Sequence, residues 1–408
     1  MPSSMPLSET QPQAVAGPAF LVGGAAGLAS ARATPPWPPF AGEVLAFLDA
    51  FGRRLMDRPE ARPWPDVVTF GFWCRRASLE RMKAGYPDLA DRLGRGLAFH
   101  VAPANVAVNF AYSLAAGLLA GNVNVVRAPS REFPQVEMIT RALNETLAEH
   151  QALRPYVFVV RYGHQAEINK ALSALCDARI IWGGDAAISA LRRFPLPPRA
   201  VELTFADRYS LAVIEADRYL EMEDAAGLAA HFYNDTLLTD QLACTAPSLV
   251  VWLGRGVDQA RARFWAAFEA LAATRYNLQP ALAVARLAAF CALCAEHEGV
   301  SRASPPGGLI FRARVASLAE GMLAERPGGG YFLEYEARSL DEILPVCGRR
   351  CQTISYLGLS GDLIRSFLEN SRPAGVDRVV PWGRTLDFTL KWDGHDLIQA
   401  LSRVRAGL

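Results

Sequence analysis

The chain is 408 residues long, with 51% hydrophobic and 20% charged residues, which is ample for a core and long enough for more than one domain. Its 42 basic and 41 acidic residues leave a formal net charge of +1, and no long basic run is present, which argues against nucleic acid as the main partner. No apolar run is long and clean enough to span a bilayer.

Residues 1–38 are rich in Pro, Gly, Ser and Ala and read as a flexible leader, partly pinned onto the core. The stretch VAGPAFLVGGAAGLASA ends in small residues like a cleavage site, yet no basic stretch precedes it, so a secretory signal is the lesser reading. From residue 97 strands and helices alternate. LAFHVA (97–102), VNVVRA (123–128), YVFVVRY (156–162) and ARIIWGG (178–184) read as strands, and 106–121, 133–149, 165–177 and 185–193 as helices. AVELTF (200–205) and SLAVIEA (210–216) follow as strands. Apolar runs of this length between amphipathic helices predict a parallel sheet covered on both faces. After about residue 223 the rhythm changes: a helix leads to Cys244, then SLVVWL (248–253) reads as a strand, then long helices near 256–275 and 280–297, then short strands in GLIFRARV, GYFLEYEA and QTISYLGL.

The predicted fold class is therefore α/β in two domains. A dinucleotide-binding domain is expected over 39–223, and a catalytic domain over 224–378. Part of 379–408 is expected to return to the first domain or to form an oligomerisation strand, for which DFTLKW is the candidate. There is no GxGxxG turn, so cofactor binding cannot be argued from that fingerprint. The seven cysteines are odd in number and irregular in spacing, which fits a reducing cytosol better than a disulfide framework. Cys291, Cys294 and His297 have a CxxCxxH look, but they lie in a helical apolar run and read as core thiols rather than a zinc site; no metal is expected.

Two features carry chemistry. Cys244 stands at a helix-to-strand junction among the small residues Ala243, Thr245 and Ala246, with Asp240 and Gln241 ahead of it. A thiol there is either structural or a nucleophile. Pro103-Ala104-Asn105 stands at a strand-to-helix junction, where the Asn amide either caps the helix or donates to a developing oxyanion.

The stretches FHVAPANVAVNFAYSLAAGLLAGNVNVVRAPS, IIWGGDAAISALRRFPLPPRAVELTFADRYSLAVI, HFYNDTLLTDQLACTAPSLVVWLG and GVDRVVPWGRTLDF resemble the acyl-CoA reductase family of bacterial bioluminescence, a branch of the aldehyde dehydrogenase superfamily. The resemblance covers roughly residues 95–395. It implies an aldehyde dehydrogenase-like fold, with a Rossmann-like cofactor domain and a catalytic thiol domain. It makes Cys244 the nucleophile and Asn105 the oxyanion donor. Glu202 matches a general base whose two following glycines are absent here, and Glu342 matches, in part, a contact to the nicotinamide ribose. Around the cofactor it implies Pro103, Arg127, Ser130 and Arg131, the last standing where an acid usually holds the adenosine ribose, and the pair Gly183-Gly184. A cation at that position suits a 2′-phosphate, hence NADPH in preference to NADH, although an exposed Arg at a helix start is an ordinary feature too. His231 is a candidate proton donor to the leaving thiol or a packed helix-face residue, and His100 is expected to be buried and hydrogen-bonded.

The expected activity is NADPH-dependent reduction of an acyl thioester, acyl-CoA or carrier-bound, to the aldehyde. The alternatives are an oxidative NAD(P)-dependent aldehyde dehydrogenase and a non-catalytic subunit of a reductase complex. The expected partners are an acyl-activating synthetase or thioesterase and further copies of the chain, and the expected location is the cytoplasm.

Overall fold

The computed structural model describes residues 17–103, 106–305 and 307–405. The chain forms two units. One takes the described residues up to Thr204 together with those from Ile398 onward, and the other is Phe205–Leu397.

In the first unit the strands are β1 (Ala19–Val22), β2 (Arg92–Gly94), β3 (Leu97–Val101), β4 (Val123–Arg127), β5 (Val157–Arg161), β6 (Ala178–Trp182) and β7 (Val201–Phe205). All but β2 form one sheet in the order β1-β5-β4-β3-β6-β7. β5, β4, β3 and β6 run parallel, and β1 closes the edge antiparallel to β5. Every residue of β3 and β6 is buried, as a strand covered on both faces demands. The helices are α1 (Ala25–Ser30), α2 (Gly42–Met56), α3 (Pro65–Trp73), α4 (Arg76–Ala84), α5 (Asn109–Leu119), α6 (Pro134–Glu149), α7 (Ala166–Leu175) and α8 (Asp185–Arg192). α2 buries Val44, Leu45, Leu48, Phe51 and Leu55, the helical spacing of a core-facing stripe. α5 lies so close to the sheet that a side chain at Gly117 would collide with Asn124.

That closeness serves a buried polar string. Trp182 Nε1 donates to Ser113 Oγ at 2.9 Å, and Ser113 lies 2.7 Å from His100 Nδ1. His100 Nε2 lies 3.0 Å from Asn124 Oδ1, and the Asn124 amide nitrogen donates to the Asn122 carbonyl at 2.6 Å. With the Asn124 nitrogen so engaged, its oxygen must accept, so His100 carries its proton on Nε2 and accepts from Ser113. Burial pushes His100 down to about 4, and a neutral ring completes the string.

The second unit has β8 (Tyr209–Glu215), β9 (Pro247–Leu253), β10 (Ser301–Arg302), β11 (Phe311–Arg314), β12 (Tyr331–Glu336), β13 (Cys351–Leu357) and β14 (Arg378–Pro381) in the order β10-β11-β12-β9-β8-β13-β14. All are parallel except β10. A tight hairpin of β15 (Lys391–Trp392) and β16 (His395–Asp396) follows. The helices are α9 (Ala216–Glu221), α10 (Ala225–Asp235), α11 (Val257–Arg275), α12 (Pro280–Glu296) and α13 (Gly361–Ser371). Strand residues alternate between two cores: Leu211, Val213, Leu249 and Val251 face one, and Ala212, Ile214, Val250 and Trp252 the other. The second core is aromatic, with Phe264, Trp265, Phe268, Phe332 and Trp382 packed around Phe232, and Trp252 against Phe264.

Several expectations change. The units divide at Thr204/Phe205 rather than at residue 223, because β8 pairs with β9 and β13. Of the proposed leader, residues 1–16 lie outside the described residues, whereas Ala19 onward already pairs with β5. The segment returning to the first unit is short: Ser402–Val404 pairs antiparallel with β2. DFTLKW contributes only the two residues of β15, paired with β16. Cys291 and Cys294 are exposed rather than core thiols, since α12 turns Arg286, Ala289 and Leu293 inward instead. No helix among the described residues is long and apolar enough to cross a membrane.

Candidate active site

The approach to Cys244 is a strained corner. After α10 the chain makes a 3-10 turn at Leu237–Thr239, then Asp240 and Gln241 both take left-handed backbone conformations, with φ of 52° and 59°. Two successive non-glycine residues there cost about 1–2 kcal/mol each. The surroundings hold them in place. The buried Gln241 side chain donates to the Pro247 and Tyr331 carbonyls at 2.8 and 2.9 Å and accepts from the Tyr331 N–H at 2.9 Å. Tyr276 donates its hydroxyl to Asp240 Oδ1 at 2.9 Å. The corner thereby delivers Cys244 to the turn just before β9, at the amino edge of the parallel sheet.

Neighbouring strands begin at the same edge and supply polar groups. Ser210, on β8, donates its hydroxyl to the Cys244 carbonyl at 2.8 Å. Gln352, on β13, places Nε2 3.4 Å from Cys244 Sγ, and the same nitrogen donates to Asp393 Oδ1 in the β15–β16 turn. Arg208, just ahead of β8, pairs with Asp377 and lies 3.8 Å from Asp393. Burial, with the Asp393 charge beside it, pushes the Cys244 thiol up to about 12 against the opposing pull of Gln352 and Arg208. Burial also raises Asp393 above the usual carboxylate range, although Gln352 and Arg208 pull it down. Neither Gln352, Arg208 nor Asp393 belongs to a motif. The one local signal is the Asp-Gly pair, whose φ values of 49° and 73° fit a two-residue hairpin turn.

His231 is exposed on α10 and packs beside Gly383, where an added side chain would come within 3.1 Å of its ring; no described contact joins it to Cys244. The buried carboxylate of that helix end is Asp235, which accepts from the Gly383 and Thr385 N–H groups at 2.8 and 3.0 Å and from the Thr385 hydroxyl at 2.9 Å. Burial lifts Asp235 to about 6 despite these donors. Glu342 accepts the Tyr335 hydroxyl at 2.7 Å in the second unit.

The remaining site residues belong to the first unit. Its strand order reverses between β3 and β6, and ligands of open α/β sheets bind outside the carboxyl ends of strands at such a switch point. Pro103 follows β3, Gly183 and Gly184 follow β6, and Arg127 ends β4 with exposed Ser130 and Arg131 behind it. A side chain added at Gly184 would meet nothing within 4 Å, so the β6–α8 turn leaves room for a close approach. The Arg127 guanidinium is fixed by the Gly163 carbonyl at 2.7 Å and lies over the Tyr162 ring; the Arg131 guanidinium lies over the Phe133 ring. These features fit a dinucleotide phosphate: an open backbone turn after β6 and cationic groups after β4, at the same carboxyl edge of the sheet. Asn105 lies outside the described residues. Glu202 is committed elsewhere. Arg192 Nε donates to it at 2.7 Å and Arg179 Nε at 2.8 Å, and although burial lifts its carboxyl, the two guanidiniums outweigh that and hold it below the ordinary value.

The acyl-CoA reductase (LuxC) family matches residues 65–273, half of the chain. The chain belongs to that family. PnpE from Pseudomonas sp. WBC-3 shares the fold at 13% identity over 93% of this chain and 88% of that one, with a TM-score of 0.65. The NAD-dependent aldehyde dehydrogenase from Sinorhizobium meliloti does so at 14% identity over 93% and 84%, with a TM-score of 0.67. An indole-3-acetaldehyde dehydrogenase in complex with NAD+ does so at 13% identity over 93% and 86%, also at 0.67. No curated protein matches the sequence. The family and the aldehyde dehydrogenase fold together make this acyl-CoA reductase family member an oxidoreductase enzyme.

Proposed function

We propose that the protein reduces an acyl thioester, of coenzyme A or a carrier thiol, to the aldehyde through an acyl group held on Cys244, with NADPH as reductant. The observation that supports this best is the Cys244 corner: a strained, hydrogen-bonded turn sets one thiol among Gln352, Arg208 and Asp393 in a member of an acyl-reducing family.

In this reading the Cys244 sulfur attacks the thioester carbonyl, a new S–C bond forms, and the carrier thiol leaves with the proton given up by Cys244. The family resemblance gives the Asn105 amide the role of oxyanion donor. When bound, a reduced nicotinamide nucleotide supplies the hydride that brings the acyl carbon to the aldehyde level. The S–C bond to Cys244 then breaks, aldehyde leaves, and the sulfur takes a new proton from solvent. Arg127, Ser130, Arg131, Gly183 and Gly184 would hold the dinucleotide, with Arg131 supplying a cation suited to a 2′-phosphate, and the family resemblance would give Glu342 the ribose. The oxidative alternative requires a carboxylate free to deprotonate water. Glu202, already gripped by Arg179 and Arg192, is poorly suited to that, which favours reduction over hydrolysis.

The test is incubation with a panel of acyl-CoAs, followed by intact-protein mass measurement and assay of aldehyde with NADPH. An acyl adduct on Cys244 and aldehyde formation are expected, and Cys244→Ala should abolish both. Reduction by the Ala variant at near wild-type rate would overturn the assignment. Arg131→Glu should raise KM for NADPH far more than for NADH; equal effects would remove the 2′-phosphate reading.

A further inference from the structure

We infer that Gln352 is a catalytic residue that stabilises the Cys244 thiolate, and that Asp393 is the residue that positions it. The inference deepens the proposed function, resting on Cys244 as the nucleophile. Gln352 is fully buried, and its amide has a single workable orientation. A carboxylate oxygen only accepts, so the nitrogen side must face Asp393 Oδ1, and the carbonyl side faces the Thr353 hydroxyl at 3.5 Å. One amide hydrogen is then spent on Asp393, and the other points at Sγ, 3.4 Å away. A thiolate accepts such a bond far better than a thiol. The contact therefore strengthens at two moments, when the sulfur loses its proton to attack and when it departs as the leaving group from the thiohemiacetal.

Asp393 pulls in both directions. It aims the amide, but its negative charge opposes a second one on the sulfur. It sits in the β15–β16 turn with its side chain 4% exposed, so this charge is little screened. The other charged or titratable groups around the thiol and its two partners are Arg208 ahead of β8, Asp377 and Arg378 at the start of β14, and His395 on β16. Arg208 pairs with Asp377 and approaches Asp393, tethering the hairpin turn to the strand edge.

This double role yields opposed effects. Gln352→Leu removes the donor, so the thiolate becomes rarer. Asp393→Asn keeps an oxygen to accept from Gln352 but removes the charge, so the thiolate becomes more abundant. The experiment is iodoacetamide alkylation of the full-length protein between pH 7 and 10, followed on the Cys244 peptide by mass spectrometry so that the exposed Cys291 and Cys294 do not interfere. At pH 8, Gln352→Leu should slow alkylation roughly tenfold or more, as expected for loss of a hydrogen bond to a charged group. Asp393→Asn should speed it several-fold. Circular dichroism of each variant guards against unfolding, which would speed both. Rates that move in the same direction, or that stay within twofold of wild type, overturn the inference. Acylation by acyl-CoA is scored separately. A wild-type protein that alkylates as described but never carries an acyl group sinks the proposed reaction and leaves the thiolate assignment standing; the reverse outcome sinks only the roles of Gln352 and Asp393.

Discussion

The sheet that carries His100 and the sheet that carries Glu334 bury polar groups in opposite ways. In the first unit the string from Trp182 through Ser113 and His100 to Asn124 is uncharged, and every proton in it has one place to go. In the second, Glu334 is wholly buried on β12. It accepts from the Trp252 and Trp265 indoles at 3.1 and 2.9 Å and pairs with Arg261 and Arg312, each at 3.3 Å. A neutral string needs only geometry to be satisfied. A buried carboxylate needs its counter-charges as well, and breaking the set strands what remains. The lesson is that the neutral string should respond to pH, whereas the charged hub around Glu334 should respond to losing a partner.

The hardest test of that contrast is Glu334→Ala. It leaves two indole N–H groups, the Nε side of Arg261 and the inner side of Arg312 without their acceptor, although Arg261 keeps Asp258 and Glu336, and should cost about 3–5 kcal/mol. Chemical denaturation followed by tryptophan emission measures it, because Trp252 and Trp265 report directly. A loss below about 1 kcal/mol would mean that the charged hub is no more than tolerated.

Next comes pH. His100 is held near 4 against an ordinary 6.5, so its folded form resists protonation. The stability this represents is complete above pH 6.5 and is lost as pH falls toward 4, by about 3 kcal/mol. Asp235 has the opposite sign. Its folded carboxyl is raised to about 6 from 3.8, so its contribution is complete below 3.8 and is lost as pH rises through 6, again by about 3 kcal/mol. Hydrogen exchange corrected for intrinsic rates should therefore show β3 and β4 losing protection between pH 6.5 and 4.5, while the α10 end and its Gly383–Thr385 contact gain. His100→Gln should flatten the first change and Asp235→Asn the second. If both regions move together in the wild type, the contrast is wrong.

The two units also differed in how plainly the sequence announced them. The first unit's strands from 97 to 182 stood out because a parallel strand buried on both faces is a continuous apolar run, and the observed ends agree to within two residues. Helices α2 to α4 passed unnoticed because they precede the first strong strand and have no motif. The family resemblance singled out Cys244 as the candidate nucleophile, but it gave no sign of the residues packed against it. Gln352 lies 108 positions from Cys244, and Asp393 another 41 beyond Gln352. Only the sheet order, which sets the starts of β8, β9 and β13 side by side, brings them together. Glu202 could be matched to a base, yet its arginine partners come from β6 and α8, and no local pattern around it foretells them.

The smallest effect separates strain that is merely tolerated from strain that is used. Arg372 closes α13 in the left-handed region, with φ 43°, and is exposed. Glycine suits that position, so Arg372→Gly should stabilise the second unit by about 1 kcal/mol. Asp240 has the same backbone geometry, with φ 52°, and glycine there gains a similar relief. It also loses the carboxylate that accepts the Tyr276 hydroxyl, an interaction of about 1.5–3 kcal/mol, so Asp240→Gly should be neutral to destabilising overall. It should also loosen the corner that presents Cys244. Thermal unfolding of the two variants, paired with the rate of Cys244 alkylation, reads both consequences. A gain in stability at both positions, with Cys244 reactivity unchanged, would show that the left-handed turn ahead of the thiol is incidental to how the thiol is held.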